Sequence, residues 1–166
     1  MDRLILFRHG KAESASTTGG DFDRRLTSRG EEESAATAER LARLGVTPAI
    51  ALISPAARTR ETWAAAEPAL SGAEVRWEPA LYDAEPDAIG EIVKLAAEDT
   101  PGTVVVVGHN PGLQELTLAL MRQAGAPPEH VGQAMRRFPT AAASVFRIDA
   151  GGRPAFESLV LPDRWA

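Results

Sequence analysis

Two of the three histidines in this chain share a setting. His9 follows an apolar run, residues 4–7, and Arg8; Gly10 comes next. His109 follows a second run, residues 103–107, and Gly108, and precedes Asn110-Pro111. A third apolar run, residues 49–53, ends in Ser54-Pro55-Ala56-Ala57-Arg58. An imidazole can act as a nucleophile or carry a proton near neutral pH. A guanidinium offers a planar fork that matches phosphate oxygens. If the three runs are strands of one α/β sheet, their ends lead into one crevice, where such folds bind ligands. The chain has 23 acidic and 18 basic residues and a formal charge of −5. A cluster of Arg8, Arg58, His9 and His109 is therefore a local cationic pocket, suited to a phosphoryl group.

Taken singly, each residue has an ordinary reading. A histidine at a strand end is usually a satisfied polar group. Arg58, Arg60 and Glu61 read as solvated helix charges, and Asn110-Pro111-Gly112 as a plain turn. Their joint occurrence, in order and each after a strand, singles them out.

The elements that must position them follow from local pattern. Residues 4–7 read as a buried strand and 14–23 as an exposed loop. Thr27 is a good N-cap for a helix that runs to about residue 44 and stops at Gly45. A strand over 49–53 and a helix over 57–66 follow, the helix broken by Pro68. Residues 74–77 form a third strand and 79–86 a loop; Asp87 is expected to cap a helix to about residue 99. The β-branched run 103–107 is the strongest strand signal, and a helix then extends to about residue 123. Residues 124–139 are expected to be irregular. Strands over 143–148 and 154–161 pair as a hairpin across Gly151-Gly152. The alternation predicts an α/β fold: a mostly parallel central sheet with helices on both faces and an antiparallel edge. Residues 1–166 are expected to form one domain.

Composition narrows the function classes. The absence of cysteine removes disulfides, thiolate zinc sites and a cysteine nucleophile. No HxH or histidine-rich pattern suggests a metal site, and no cofactor is expected. The acidic balance disfavours a nucleic-acid partner. The N-terminal apolar run is too short for a signal peptide, and no stretch reaches membrane-spanning length. No membrane partner is expected, and a cytoplasmic location is the default. Composition carries no signal of oligomeric state.

Arg8-His9-Gly10 after the first strand resembles the signature of the histidine phosphatase superfamily, which includes cofactor-dependent phosphoglycerate mutases and acid phosphatases. It is joined by Ser54-Pro55-Ala56-Ala57-Arg58-Thr59-Arg60-Glu61-Thr62 and Val107-Gly108-His109-Asn110-Pro111, in matching order and spacing over almost the whole chain. The short branch of SixA-like phosphohistidine phosphatases is the nearest likeness. It is carried by Asp23-Arg24-Arg25-Leu26-Thr27-Ser28-Arg29-Gly30, by Leu81-Tyr82-Asp83 and by the stretch from Gly108 to Leu113. The resemblance implies a three-layer α/β/α sandwich of the phosphoglycerate mutase type. It implies that His9 attacks phosphorus and carries the phosphoryl group. Arg8 and Arg58 would bind its oxygens and His109 would donate to them as an imidazolium, with no metal. Gly10, Arg24 and Asn110 join the phosphate-binding set.

Larger members of the superfamily carry a glutamate general acid on the loop after the third strand. Asp83 stands there, with Glu85 and Asp87 close by; its other reading is a loop carboxylate or helix cap. Larger relatives also insert helices over the pocket, whereas residues 124–139 are the only sizeable insertion here. His130, Arg136 and Arg137 in that segment, like Arg29, read as solvated charges or as a border of the pocket. An open groove admits a phosphorylated protein side chain or a small phosphoester. Three functions are therefore in competition: a phosphatase for phosphohistidine in a protein, a small-molecule phosphomonoesterase, and a non-catalytic phosphate-binding module.

Overall fold

The computed structural model describes residues 1–165. Its six strands are β1 (Arg3–Arg8), β2 (Pro48–Ile53), β3 (Glu74–Trp77), β4 (Thr103–Gly108), β5 (Ala143–Ile148) and β6 (Pro154–Val160). They form one sheet in the order β3-β2-β4-β1-β5-β6. The first four strands in this order run parallel, and β5 and β6 add an antiparallel edge. Five helices cover it: α1 (Ser28–Arg43), α2 (Ala57–Ala66), α3 (Pro86–Asp99), α4 (Gly112–Gln123) and α5 (Pro128–Arg136).

Side chains alternate across a strand, so each central strand supplies both cores. Leu4, Leu6, Leu52, Val104 and Val106 meet Ile89 and Val93 of α3, Leu113 and Met121 of α4, and Ala134 of α5. Ile5, Phe7, Ile53, Val105 and Val107 meet Ala38 and Leu41 of α1 and Trp63 and Ala66 of α2 on the other face. Helices on both faces give the three-layer α/β/α sandwich. β4, buried along its whole length, can be a continuous valine run because neither face meets water. Each fully buried valine there is worth about 1.5–3 kcal/mol relative to exposure.

Two expectations are corrected. Residues 124–139 are not irregular throughout, because α5 occupies the middle of the segment. Its apolar positions Val131 and Ala134 pack on the α3–α4 side of the core, and Pro128 sits in its first turn, a position proline favours. Asp87 does not cap α3; it lies in the first turn, and Glu85 is the N-cap residue, without a side-chain cap bond. Pro86 opens that helix and needs no amide partner. Thr27 does cap α1, accepting from the Gly30 amide at 3.1 Å.

Candidate active site

β1, β4 and β2 lie side by side in parallel register, with Arg8 opposite Gly108 and Ile53 opposite Val107. What leaves their carboxyl ends therefore leaves together. The His9 amide donates to the Gly108 carbonyl and the Ser54 amide to the Val107 carbonyl, both at 3.1 Å. The rings of His9 and His109 lie 5.4 Å apart between centroids, and His109 Nε2 is 2.8 Å from Ser54 Oγ. A cavity of about 400 Å³ opens over this row. Arg8, His9, Arg58 and His109 line it, together with Lys11, Asp21, Arg24, Asp83, Asn110 and Thr140.

His9 is 7% exposed. Its Nδ1 lies 2.7 Å from the Gly10 carbonyl, which can only accept. The ring proton therefore sits on Nδ1, and Nε2 keeps a free lone pair. Burial lowers the His9 pKa to about 3, helped by His109, Arg8 and Arg58, so the ring is neutral at neutral pH. The Gly10 amide is itself held, donating to Thr62 Oγ1 at 2.9 Å, and Thr62 donates on to the Arg58 carbonyl at 2.7 Å. A Cβ at Gly10 would lie 2.5 Å from both the Gly30 carbonyl and Ser34 Oγ. Glycine lets the loop pack onto α1 closely enough to make these bonds. Gly10, expected among the phosphate ligands, stands behind the cavity wall with its amide and carbonyl both used.

The guanidinium groups are fixed from the side. Arg8 donates to the Phe138 carbonyl at 2.8 Å. Arg58, the second residue of α2, is 3% exposed and donates to the Asp21 carbonyl at 2.8 Å and to Asp21 Oδ2 at 3.1 Å. The Nε atoms of both arginines and Nδ1 of His109 are buried without a protein partner. Unpaired polar atoms are costly to bury and rare in folded chains.

Burial first, then Arg58, lowers the His109 pKa to about 3, so the ring by itself is a neutral imidazole at neutral pH. Asn110 lines the cavity while its amide donates to the Phe138 carbonyl at 3.0 Å. Arg24 lines it too, donating to Asp21 Oδ1 at 2.9 Å and the Glu13 carbonyl at 2.7 Å. Asp83 is exposed at the lip, with a left-handed φ of 50° that aspartate tolerates. Arg29 pairs with Glu33 along α1 at 3.0 Å, and the His130 ring stacks 5.3 Å from Phe156; neither is in the cavity lining, nor are Arg136 and Arg137. Glu61 is more than a solvated charge, because it accepts from Arg25 and from the Leu26 amide, both at 2.7 Å.

The residues missed from sequence are Asp21, Tyr82, Ser54 and Thr62. Asp21 opens a short 3-10 helix, Asp21–Asp23, in a stretch with no periodic pattern. Tyr82, 61 positions away, donates its hydroxyl to Asp21 Oδ2 at 2.6 Å and sets its ring edge-on to His109 at 5.5 Å. Ser54 and Thr62 belong to the quoted motif, but motif membership gave no hint of the bonds they make.

An α/β sandwich with paired histidines and arginines at the carboxyl ends of its parallel strands defines the class. The sequence model of the histidine phosphatase superfamily (branch 1) matches residues 4–91, and the chain belongs to that superfamily. An uncharacterised protein of Mycobacterium leprae is 36% identical over 77% of this chain and 76% of its own. A crystal structure from Agrobacterium tumefaciens, provisionally assigned as the phosphohistidine phosphatase SixA, superposes with a TM-score of 0.79 at 28% identity. It covers 97% of this chain and 98% of that one. A second structure with the same provisional assignment, from Nakamurella multipartitia, gives 0.77 at 29% identity over 98% and 96%. Family membership and these SixA-like neighbours support phosphatase activity.

Proposed function

We propose that residues 1–166 form one catalytic domain that hydrolyses phosphohistidine on a protein, through a phosphoryl group carried on His9. The observation that carries this is the ring of His9: Nδ1–H is tied to the Gly10 carbonyl, so Nε2 has its lone pair free within a cation-lined cavity. Nε2 attacks phosphorus as the P–N bond of the substrate breaks. The departing imidazole nitrogen takes a proton from Asp83 or from water in the open cavity. Water then attacks the same phosphorus, the P–Nε2 bond breaks, and inorganic phosphate leaves with His9 restored. Arg8, Arg58 and His109 hold the phosphoryl oxygens throughout. Fixed donors of this kind lower the barrier by about 3–4 kcal/mol each, and no metal is needed in this reading.

The leaving group decides between phosphohistidine and an ester. Two carboxylates line the cavity. The Tyr82 hydroxyl, then Arg24 and Arg58, hold Asp21 well below the usual carboxylate range, so it has no proton to give. Asp83 is exposed. An alkoxide needs a well-aimed acid, whereas a phosphoramidate nitrogen accepts a proton readily. The site therefore favours the P–N bond. The provisional SixA assignment of the neighbours points the same way, and a cytoplasmic setting is part of the reading.

The test is to trap the intermediate. The protein is incubated with a radiolabelled phosphohistidine protein and a metal chelator, quenched, and digested. Acid-labile label is expected on the peptide containing His9. In His9→Ala the label should vanish and turnover fall about 10⁴-fold or more. Label on another peptide would overturn the intermediate. Sugar phosphates cleaved much faster than phosphohistidine would overturn the substrate.

A further inference from the structure

Asp21 is an anion set among the cations of the cavity. Its Oδ1 accepts from Arg24 at 2.9 Å, and its Oδ2 from Arg58 at 3.1 Å and from Tyr82 at 2.6 Å. Its main-chain carbonyl accepts a further bond from Arg58 at 2.8 Å. Arg58 in turn lies over the Tyr82 ring, 5.9 Å from its centroid. One residue thus joins a buried phosphoryl-binding guanidinium, a rim guanidinium and the aromatic group beside His109. It is already ionised, because the bonds from Tyr82, Arg24 and Arg58 favour its charged form.

Asp21 occupies the fork of Arg58 with two oxygens, its main-chain carbonyl against Nη1 and one carboxylate oxygen against Nη2. A phosphoryl dianion entering the cavity meets Arg58 already partly neutralised and a fixed negative charge beside it. We propose that Asp21 is a positioning residue that lowers the affinity of the site for phosphate, so that product is released rather than retained. This rests on the reading of the cavity as a phosphoryl site. The charge and the geometry act separately. The main-chain bond to Arg58 survives any side-chain change at position 21, and an asparagine oxygen can still accept from Tyr82 and Arg58. Removing the charge therefore leaves Arg58 in place while relieving the repulsion.

Calorimetric titration with inorganic phosphate tests the idea on the whole chain. Asp21→Asn is expected to bind phosphate about tenfold more tightly than the parent, the scale of one unit charge a few ångströms away in a half-solvated site. For an aryl phosphate, KM should fall by a similar factor while kcat does not rise. Tyr82→Phe removes a bond to Asp21 without changing charge, and its phosphate affinity should stay within about twofold of the parent. Unchanged or weaker phosphate binding in Asp21→Asn would overturn the proposal. So would an equal tightening in Tyr82→Phe, because the effect would then come from geometry. A parent protein that binds no phosphate would instead remove the phosphoryl-site reading itself.

Discussion

The floor and the lip of the cavity contain the same kinds of chemical group held in different ways. On the floor, His9 and His109 are almost fully buried, and each ring has one nitrogen bonded within the chain, to the Gly10 carbonyl and to Ser54 Oγ. At the lip, Asp83 is exposed and makes no hydrogen bond or ion pair among the described residues. The groups proposed to meet the phosphorus atom are held by neighbours near the strand ends, and the group proposed to meet the leaving atom is left to solvent. A rigid floor under an open lip suits a reaction whose phosphoryl group is constant and whose leaving group is large, as a protein side chain is.

That contrast is open to attack at several points. Removing a floor donor should do the most damage. Arg58→Ala is expected to lower kcat for phosphohistidine by about 10²–10³-fold, read in steady-state assays; a loss under tenfold would mean the floor is not the catalytic part. The lip should matter less. Asp83→Asn is expected to lower phosphohistidine turnover less than about tenfold but alkyl phosphate turnover about 10²-fold. Equal losses on both substrates would make Asp83 as essential as the floor.

The smallest expected effect is on stability. His9 and His109 have folded-state pKa values lowered to about 3 from an ordinary 6.5. Between those values the unfolded chain binds more protons than the folded one, so stability falls as pH drops below about 6.5 and levels off near 3. Asp21, depressed in the fold, adds to the loss below the ordinary carboxylate range. Melting temperature should fall from pH 7 to pH 5, and His109→Gln should flatten that slope. An unchanged slope would mean that the ring is not held neutral by the floor.

The features legible in the sequence were those carried by local pattern. The continuous valine run of β4 could only be a strand buried on both faces. His9 and His109 were conspicuous because each comes one residue after such an apolar run, and Arg58 because it stands near the start of the helix that follows the third run. α5 was hidden because Gly125, Pro127, Pro128 and Gly132 look like loop chemistry; the proline in its first turn was the available signal. Asp21 was hidden more deeply. It lies among Ser, Thr and Gly with no period, and its partners are Arg58 and Tyr82, 37 and 61 positions along the chain.

By itself, then, the sequence settled the order of the six strands and of α1 to α4, and the identity of the residues that emerge near three strand ends, because hydrophobic period and turn chemistry act over a few neighbouring positions. Tertiary structure alone decided which ring nitrogen of His9 carries the proton, that burial and neighbouring cations lower the pKa of His109, and that Asp21 sits against Arg58. Those outcomes depend on burial, on bonds such as that from the Gly10 amide to Thr62, 52 positions away, and on fields from charges that share no local pattern. Only folding brings such groups within a few ångströms of one another.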